Sequence, residues 1–163
     1  MMIRRAALIA ASVSALSVVP MGAAGARPTG AVHLGRFDRQ LVNEINHQRE
    51  VHGLSALAVS RQLSGIASAW ARHMATTGRA QDNPHLGAQV TASCPHWKAL
   101  GELVDNAGHD TAARLWQTYS AKPSDERVLM LRPATDLGIR TVTTYENGAR
   151  VEWNVIDLSS NCD

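Results

Sequence analysis

Residues 41–78 read LVNEINHQREVHGLSALAVSRQLSGIASAWARHMATTG, and the spacing of the apolar residues in this stretch decides much of the fold. Its second half predicts an amphipathic helix, because apolar residues recur there at intervals of three and one. These residues are Leu63, Ile66, Ala67, Trp70, Ala71 and Met74. Ser60 stands at the position of an N-cap, and Gly78 stands where a helix would end.

The first half of the stretch, with the residues just before it, predicts another helix. Its apolar residues, which are spaced to share one face, are Phe37, Leu41, Val42 and Ile45. Gly53 is a natural end for this helix, and residues 54–60 (LSALAVS) indicate a short extended link. We therefore expect two helices joined by a brief extended connection.

Beyond Gly78 the chain changes character. Residues 79–98 are polar and rich in Pro, Gly, Asn and Ser, which predicts a long loop that is either functional or held by a crosslink. The predicted elements after it are a short strand at 98–104 (KALGELV), helices at 109–121 (HDTAARLWQTYSA) and 124–133 (SDERVLMLRP), and strands at 137–145 (LGIRTVTTY) and 149–158 (ARVEWNVIDL). The Asn147-Gly148 turn between the last two strands is typical of a β-hairpin.

These elements predict the fold class. Helices on both sides of a small antiparallel sheet make an α+β protein, a three-layer α-β-α sandwich. The strands do not alternate with crossover helices, so a doubly wound parallel sheet is excluded. There are no internal repeats and no low-complexity tracts, and the length suits one domain.

The N-terminus predicts export. Arg4 and Arg5 precede an apolar run from Ala6 to Val19, and Ala24-Gly25-Ala26 offers a cleavage site for a signal peptidase. The run is shorter than the ~20 residues that span a bilayer. We expect a signal peptide at residues 1–26, a short mobile segment at 27–36 and a single domain at 37–163.

The charge of the exported chain excludes one class of partner. Cleavage would remove two of the 16 basic residues and none of the 14 acidic ones, which leaves no net charge. Without a basic patch or an RNA-binding motif, neither nucleic acid nor an anionic membrane is expected as a partner. No transmembrane segment is expected in the exported chain, and the sequence does not predict an oligomeric state.

The chain has two cysteines, Cys94 and Cys162. In an exported protein an even pair is most simply a disulfide, which would stabilise the fold by ~4 kcal/mol on the chain-entropy model. The alternatives are a nucleophilic Cys94 or a metal thiolate. Both need a reduced thiolate in an oxidising compartment.

The possible chemistry centres on Glu102. A zinc site would want three or four ligands at regular spacing, and neither H-E-x-x-H nor C-x-x-C occurs. A serine hydrolase lacks its G-x-S-x-G turn. A glycosidase could pair Glu102 with Asp105, Asp125 or Glu126, but this pattern is not specific.

A pair formed by His85 and Glu102 is a more specific expectation. Glu102 lies in an otherwise apolar run, so it is expected to be partly buried and to need a partner. The imidazole of His85 could supply that partner from the loop. The same pair could equally be a polar tie between the loop and the sheet with no chemistry.

The order of these motifs resembles the CAP superfamily, the domain of cysteine-rich secretory proteins, venom antigen 5 and plant pathogenesis-related proteins of class 1, and in particular its short bacterial branch. The resemblance runs from about Asp38 to Leu158. It is carried by R-x-x-x-G-L followed by L-x-x-x-A-x-x-W-A-x-x-M-A-x-x-G, in which the matching residues are Arg49, Gly53, Leu54, Leu63, Ala67, Trp70, Ala71, Met74, Ala75 and Gly78. His85 in DNPHL and Gly101-Glu102 continue the match.

The resemblance implies an α-β-α sandwich with a cleft that holds two histidines and two acidic residues. His85 and Glu102 would be half of this tetrad, and if a divalent cation binds weakly in the cleft, these two residues would hold it; no other cofactor is expected. At the position of a further histidine in the bacterial branch this chain has Glu126, and the Asn that follows the glutamate is Leu103. The cleft is therefore expected to be partly degraded.

A degraded cleft favours binding over catalysis. We expect a secreted or envelope protein that acts as a non-catalytic binding module for a lipid, a sterol or an extracellular protein. One alternative is an extracellular peptidase-like hydrolase that uses Glu102 as general base and His85 as orienting group. The other is a structural envelope protein stapled by its disulfide.

Overall fold

The computed structural model describes residues 32–108 and 111–162. The predicted signal peptide at residues 1–26 lies outside these ranges. The helices are α1 (Arg36–Val51), α2 (Arg61–Thr77), α3 (Leu86–Ser93), α4 (Ala112–Ser120) and α5 (Pro123–Leu129), and the strands are β1 (Ala58–Val59), β2 (Leu100–Asp105), β3 (Asp136–Glu146) and β4 (Ala149–Ser159).

The four strands form one sheet in the order β1-β3-β4-β2. β3 and β4 are an antiparallel hairpin, β2 pairs antiparallel with β4, and the short β1 pairs parallel with β3. Asn147 and Gly148 at the hairpin turn both have positive φ, 51° and 81°, as a tight two-residue turn requires. The predicted Asn-Gly hairpin is confirmed, and β2 lies at one edge of the sheet.

Helices cover both faces of this sheet, which confirms the α-β-α sandwich. On one face the core is formed by residues from α1, α4 and α5 packed on the sheet, among them Leu41, Ile45, Leu115, Leu129 and Ile156. On the other face α2 packs its apolar stripe against Trp153 and Val155 of β4. A smaller cluster joins α2 and α3 to the C-terminal end of the chain through Cys94 and Cys162.

Both ends of α2 follow the sequence prediction. The Ser60 hydroxyl accepts a hydrogen bond from the Leu63 amide at 3.2 Å, and it also donates to the Cys162 carbonyl at 2.7 Å. Gly78 ends the helix in the left-handed conformation with φ 66°. The N-cap therefore also ties the start of α2 to the C-terminal segment.

The loop predicted at residues 79–98 is wrong in part, because α3 lies within it. This helix buries only Leu86 and Val90, so it carries too few apolar residues to give a clear periodic pattern. Packing against α2 stabilises α3, although the local sequence does not indicate a helix there. The crosslink expected for this region is present at its end, in Cys94.

The segment predicted to be mobile is partly docked. Leu34 is 8% exposed and belongs to the core, and Val32 packs against the same cluster. Arg39 of α1 donates a hydrogen bond to the Leu34 carbonyl. An apolar side chain just before a helix can pack into the core beneath that helix. The composition of the segment did not indicate this contact.

The predicted disulfide between Cys94 and Cys162 is confirmed, with the two Cα atoms 4.8 Å apart. Both cysteines are buried. The bond joins the end of α3 to the segment that follows β4. Across residues 32–108 and 111–162, none of the helices has the length and apolar character needed to cross a membrane.

Candidate functional site

Glu102 lies on β2, at the edge of the sheet. Successive strand residues point to opposite faces, and Gly101 faces α5, where a β-carbon would lie 2.8 Å from the Val128 side chain. Glu102 therefore points to the opposite face, which α2 and α3 cover. Its Oε1 accepts a hydrogen bond from the Asn83 amide at 2.6 Å, and its Oε2 is shielded from solvent.

Asp157 is the partner that the structure gives to Glu102. The antiparallel register of β2 and β4 sets the two residues directly opposite each other, so their side chains share one face. Asp157 is 0% exposed, and apart from Glu102 its two carboxyl oxygens have no hydrogen-bond partner among the described residues. Two carboxyl groups can hydrogen-bond only if they hold a proton between them.

The surroundings favour such a shared proton. Burial raises the pKa of Asp157 well above its usual value, and the charge of Glu102 and the hydrogen bond to it add to this increase. Burial also raises the pKa of Glu102, and the charge of Asp82 adds to it, while hydrogen bonds to Asn83 and Asp157 oppose the increase. We describe Glu102 and Asp157 as the carboxyl pair.

α2 covers the carboxyl pair on one face of the sheet. Gly138 of β3 is the cross-strand neighbour of Asp157 on the side away from Glu102. A β-carbon at Gly138 would overlap the backbone of Leu63, so the helix lies unusually close to the sheet at this row. The absence of a side chain at Gly138 thus allows α2 to cover Asp157 completely.

Asn83 connects the carboxyl pair to the loop between α2 and α3. It is buried, and besides donating its amide to Glu102 it donates Nδ2 to Gln89 Oε1 at 2.9 Å. Its Oδ1 accepts a hydrogen bond from the His85 amide at 3.0 Å. These three bonds fix the conformation of the loop around His85.

His85 is exposed, at the N-cap position of α3. Its side chain makes no capping hydrogen bond, and no hydrogen bond joins it to Glu102 within the described ranges. The predicted partner of Glu102 is thus corrected: Asp157 takes that place, because the register of β2 and β4 sets a second carboxyl group opposite Glu102, while His85 faces solvent. The functional roles expected of His85 and Glu102 stay predictions.

Glu126 is not brought to Glu102. It is half-buried on α5, which packs against the other face of the sheet through Val128. Asp105 and Asp125, the other carboxylates considered for Glu102, act on the buried Tyr119 phenol instead. Burial raises the pKa of this phenol well above its usual value, and the charges of the two carboxylates add to the increase.

The side chains present do not fit the weak divalent cation that the resemblance implies. In the part of the chain that the structure describes, no three His, Cys, Asp or Glu side chains are grouped so that they could hold a metal ion. His85 faces solvent, and the carboxyl pair offers two groups that are covered by α2. We derive no step through a metal.

Asp157 and Asn83 are the residues that sequence reasoning missed. A pattern could have indicated Asp157, because alternation along β4 puts it on the same inward face as Trp153 and Val155. A carboxylate at an inward strand position is unusual and indicates a buried partner. For Asn83 there is no comparable pattern, since its contacts come from three different elements.

Comparison with known families now decides the family. The model of the cysteine-rich secretory protein family, CAP, matches residues 42–156. This chain belongs to the CAP family. The resemblance expected from the motif in α1 and α2 is confirmed, and no relative is found among curated protein sequences.

Solved structures share the CAP fold. An outer surface protein from Borrelia burgdorferi has a TM-score of 0.67 and 14% identity, covering 76% of this chain and 91% of that one. An extracellular protein containing a SCP domain from Bacillus anthracis has a TM-score of 0.61 and 19% identity, covering 75% and 39%. A cysteine-rich secretory protein from Staphylococcus aureus has a TM-score of 0.60 and 17% identity, covering 76% and 38%.

These relatives bear on the fold of this CAP domain. At 14–19% identity the likeness shows the architecture alone. The chain also spans well under half the length of the Bacillus and Staphylococcus proteins. Their names describe extracellular or secretory proteins, which agrees with the disulfide found here.

Proposed function

We propose that this CAP protein is an exported, non-catalytic binding module whose ligand contacts the surface around His85. The observation that carries the proposal is the difference in environment between the two candidate residues, Glu102 and His85. Glu102 is tied into the carboxyl pair under α2, while His85 faces solvent on a loop held by Asn83.

This arrangement argues against Glu102 as a general base. A base must reach the proton that it removes, and the Oε2 of Glu102 is shielded while its Oε1 already accepts from the Asn83 amide. A carboxyl group that shares a proton with Asp157 is also a weak acceptor for a second proton. The peptidase-like alternative would require the pair to open first.

The loop that carries His85 suits recognition. An exposed side chain on a backbone already fixed by several hydrogen bonds loses little conformational entropy when it binds. Of the described residues, the large hydrophobic side chains that are exposed are Val51 (66%) and Tyr145 (73%), so there is little apolar surface on which a lipid or sterol could adsorb. This favours an extracellular protein over a lipid as ligand.

Export is the other part of the proposal. The predicted signal peptide and the buried disulfide between Cys94 and Cys162 both suit an oxidising compartment. The protein would then act outside the cell or within the envelope. Expression of the full chain followed by N-terminal sequencing of the mature form tests this, with Arg27 expected as the first residue; a retained N-terminus would contradict export.

Binding is tested by comparing His85→Ala with His47→Ala, which removes an exposed histidine from α1. The immobilised protein is exposed to envelope and secreted proteins, and retained proteins are quantified. A protein retained by wild type and His47→Ala but reduced tenfold or more by His85→Ala supports the proposal. Parallel thermal-shift measurements with sterol-containing vesicles and divalent cations cover the other ligand classes, since a ligand at 100 times its Kd stabilises by about 2.7 kcal/mol.

The hydrolase alternative has its own measurement. Peptide and ester substrates are incubated with wild type and with Glu102→Gln, in which the side-chain oxygen can still accept from Asn83. Turnover by wild type that disappears in Glu102→Gln would replace the binding proposal by the enzymatic one. We expect no turnover in either.

A further inference from the structure

The loop from Gln81 to His85, which we call the 81–85 segment, is attached to α2, to β2 and, through the Asn83 side chain and Gln89, to α3. The Trp70 indole donates to the Gln81 carbonyl at 2.8 Å, and the Asn83 amide donates to Glu102. Gln81, Asp82, Pro84 and His85 are exposed, and Asn83 alone is buried. The hydrogen bond to Glu102 is therefore the one that holds the middle of the segment on the sheet.

Among the described residues, no positive charge acts on the carboxyl pair. The loop contributes Asp82, whose charge acts on Glu102. On β3, Gly138 is the direct cross-strand neighbour of Asp157. Two charged residues flank Gly138 on the same face of the strand. Asp136 accepts hydrogen bonds from Thr135 and from the Cys162 amide, and the charge of Arg140 acts on Asp38 of α1.

The helices that cover the pair do not supply a positive charge either. α2 buries Leu63 and Ser64 against this face, and α3 buries Leu86 and Val90, all of them uncharged. Within the described ranges, no cation is among the groups that act on Glu102 or Asp157. If the shared proton is lost to solvent, two adjacent carboxylates remain with nothing to balance them.

The two carboxyl groups differ in their freedom to respond. Asp157 lies on β4, which is paired on both sides and covered by α2, so its side chain cannot leave. Glu102 lies on β2, an edge strand, and is only half-buried. Repulsion would therefore turn Glu102 toward solvent, and this movement breaks its hydrogen bond to the Asn83 amide.

We propose that the carboxyl pair is a proton-dependent latch that holds the 81–85 segment on the sheet, and that loss of the shared proton releases this segment while the rest of the domain stays folded. Because the segment carries His85, the latch would make the proposed binding surface rigid at lower pH and mobile at higher pH. The latch itself does not depend on which ligand binds, and it is measured without one.

Amide hydrogen exchange of the purified protein tests the latch. Protection factors, corrected for the intrinsic pH dependence of exchange, are followed from pH 5 to pH 9 at Asn83 and at Ile156 in the centre of the sheet, with and without a low concentration of urea. Release coupled to loss of one proton lowers the protection of Asn83 by up to about tenfold per pH unit, between the pKa of the pair when the segment is released and its raised pKa when the segment is held. Because the release is local, this exchange should not respond to urea, whereas that of Ile156 should.

Asp157→Asn separates the latch from other causes of pH dependence. The asparagine cannot ionise and can donate to Glu102, so the protection of Asn83 should no longer fall as the pH rises. If this variant does not fold, Glu102→Gln is used, with the same expectation. The proposal is overturned if Asn83 protection in wild type is independent of pH, if it follows urea as Ile156 does, or if its fall with pH persists in the neutral variant.

Discussion

Gly138 of β3 lies against the backbone of Leu63 in α2, so close that a β-carbon would overlap it. This contact sets the distance between α2 and the sheet. It also places Asp157, the cross-strand neighbour of Gly138, beneath the helix. The packing of the α2 face and the burial of the carboxyl pair therefore depend on one residue without a side chain.

Gly138→Ala should destabilise the protein, because α2 must move away from the sheet to make room. We expect the free energy of unfolding to fall by about 2–3 kcal/mol in urea denaturation. Gly65→Ala is the matched control, since Gly65 lies in α2 with open space around it. That change should stabilise by about 0.5–1 kcal/mol through helix propensity. Equal effects of the two substitutions would show that the contact with Leu63 is not limiting.

Asp157→Asn should alter the dependence of stability on pH. The folded protein raises the pKa of Asp157, so it binds a proton more tightly than the unfolded chain does. Wild-type stability is then greatest below the unfolded pKa, near 3.8, and falls as the pH rises toward the folded value, by up to about 1.4 kcal/mol per pH unit. The variant should lose most of this fall and be the more stable form at neutral pH.

Urea denaturation at several pH values between 4 and 8 measures this effect. Glu50→Gln, which removes an exposed carboxylate from α1, serves as the control and should keep the wild-type profile within about 0.5 kcal/mol. An Asp157→Asn profile parallel to that of wild type would contradict the shared proton.

Arg49 ties α1 to the segment between α5 and β3. Its buried guanidinium donates to the carbonyls of Ser55 at 3.0 Å, Leu129 at 2.7 Å, Leu131 at 3.3 Å and Ala134 at 3.4 Å. Burial lowers the pKa of this guanidinium. Arg49→Met should leave the carbonyls without donors and lower the free energy of unfolding by at least about 3 kcal/mol.

Arg36→Met is the comparison for Arg49→Met, since Arg36 is exposed on the same helix. It should change stability by less than about 0.5 kcal/mol in the same denaturation experiment. Arg49→Lys should recover only part of the loss, because an ammonium cannot serve carbonyls in several directions. Full recovery of the free energy of unfolding by lysine would show that the positive charge at this position, and not the several donors of the guanidinium, stabilises the protein.

Removal of the disulfide should destabilise the protein strongly. The paired substitution Cys94→Ala and Cys162→Ala is expected to lower the free energy of unfolding by about 4 kcal/mol. Wild type under reducing conditions should behave similarly, and thiol labelling of the native, unreduced protein should modify neither cysteine. Labelling of both cysteines without reductant would disprove the crosslink in the isolated protein.

Much of the fold could be predicted because it depends on local patterns. The apolar stripe of α2, its Ser60 cap, the Gly78 end and the Asn147-Gly148 turn are all encoded within a few neighbouring residues. The order of these elements then indicated the family. α3 was missed because its local pattern is weak and its stability comes from contact with α2 and from the disulfide.

Arg49 shows the limit of such reasoning at a single residue. The motif R-x-x-x-G-L marked it as part of the family pattern, but three of its four carbonyl partners lie 80 to 85 positions away in the chain. No helical or strand periodicity contains that information. The sequence therefore indicated that Arg49 belongs to a family motif, and the fold shows which carbonyls it binds.

The sequence by itself determined four of the five described helices, the hairpin and the cysteine pair, since each follows from local spacing or from residue chemistry, and its motifs indicated the family. Only the tertiary structure decided the partner of Glu102. His85 was the candidate nearer in the chain, but the register of β2 and β4 sets Asp157 opposite Glu102, and Gly138 lets α2 cover the pair. Strand register is a property of the assembled sheet, because pairing between distant segments is chosen by the burial of whole faces and not by any one residue.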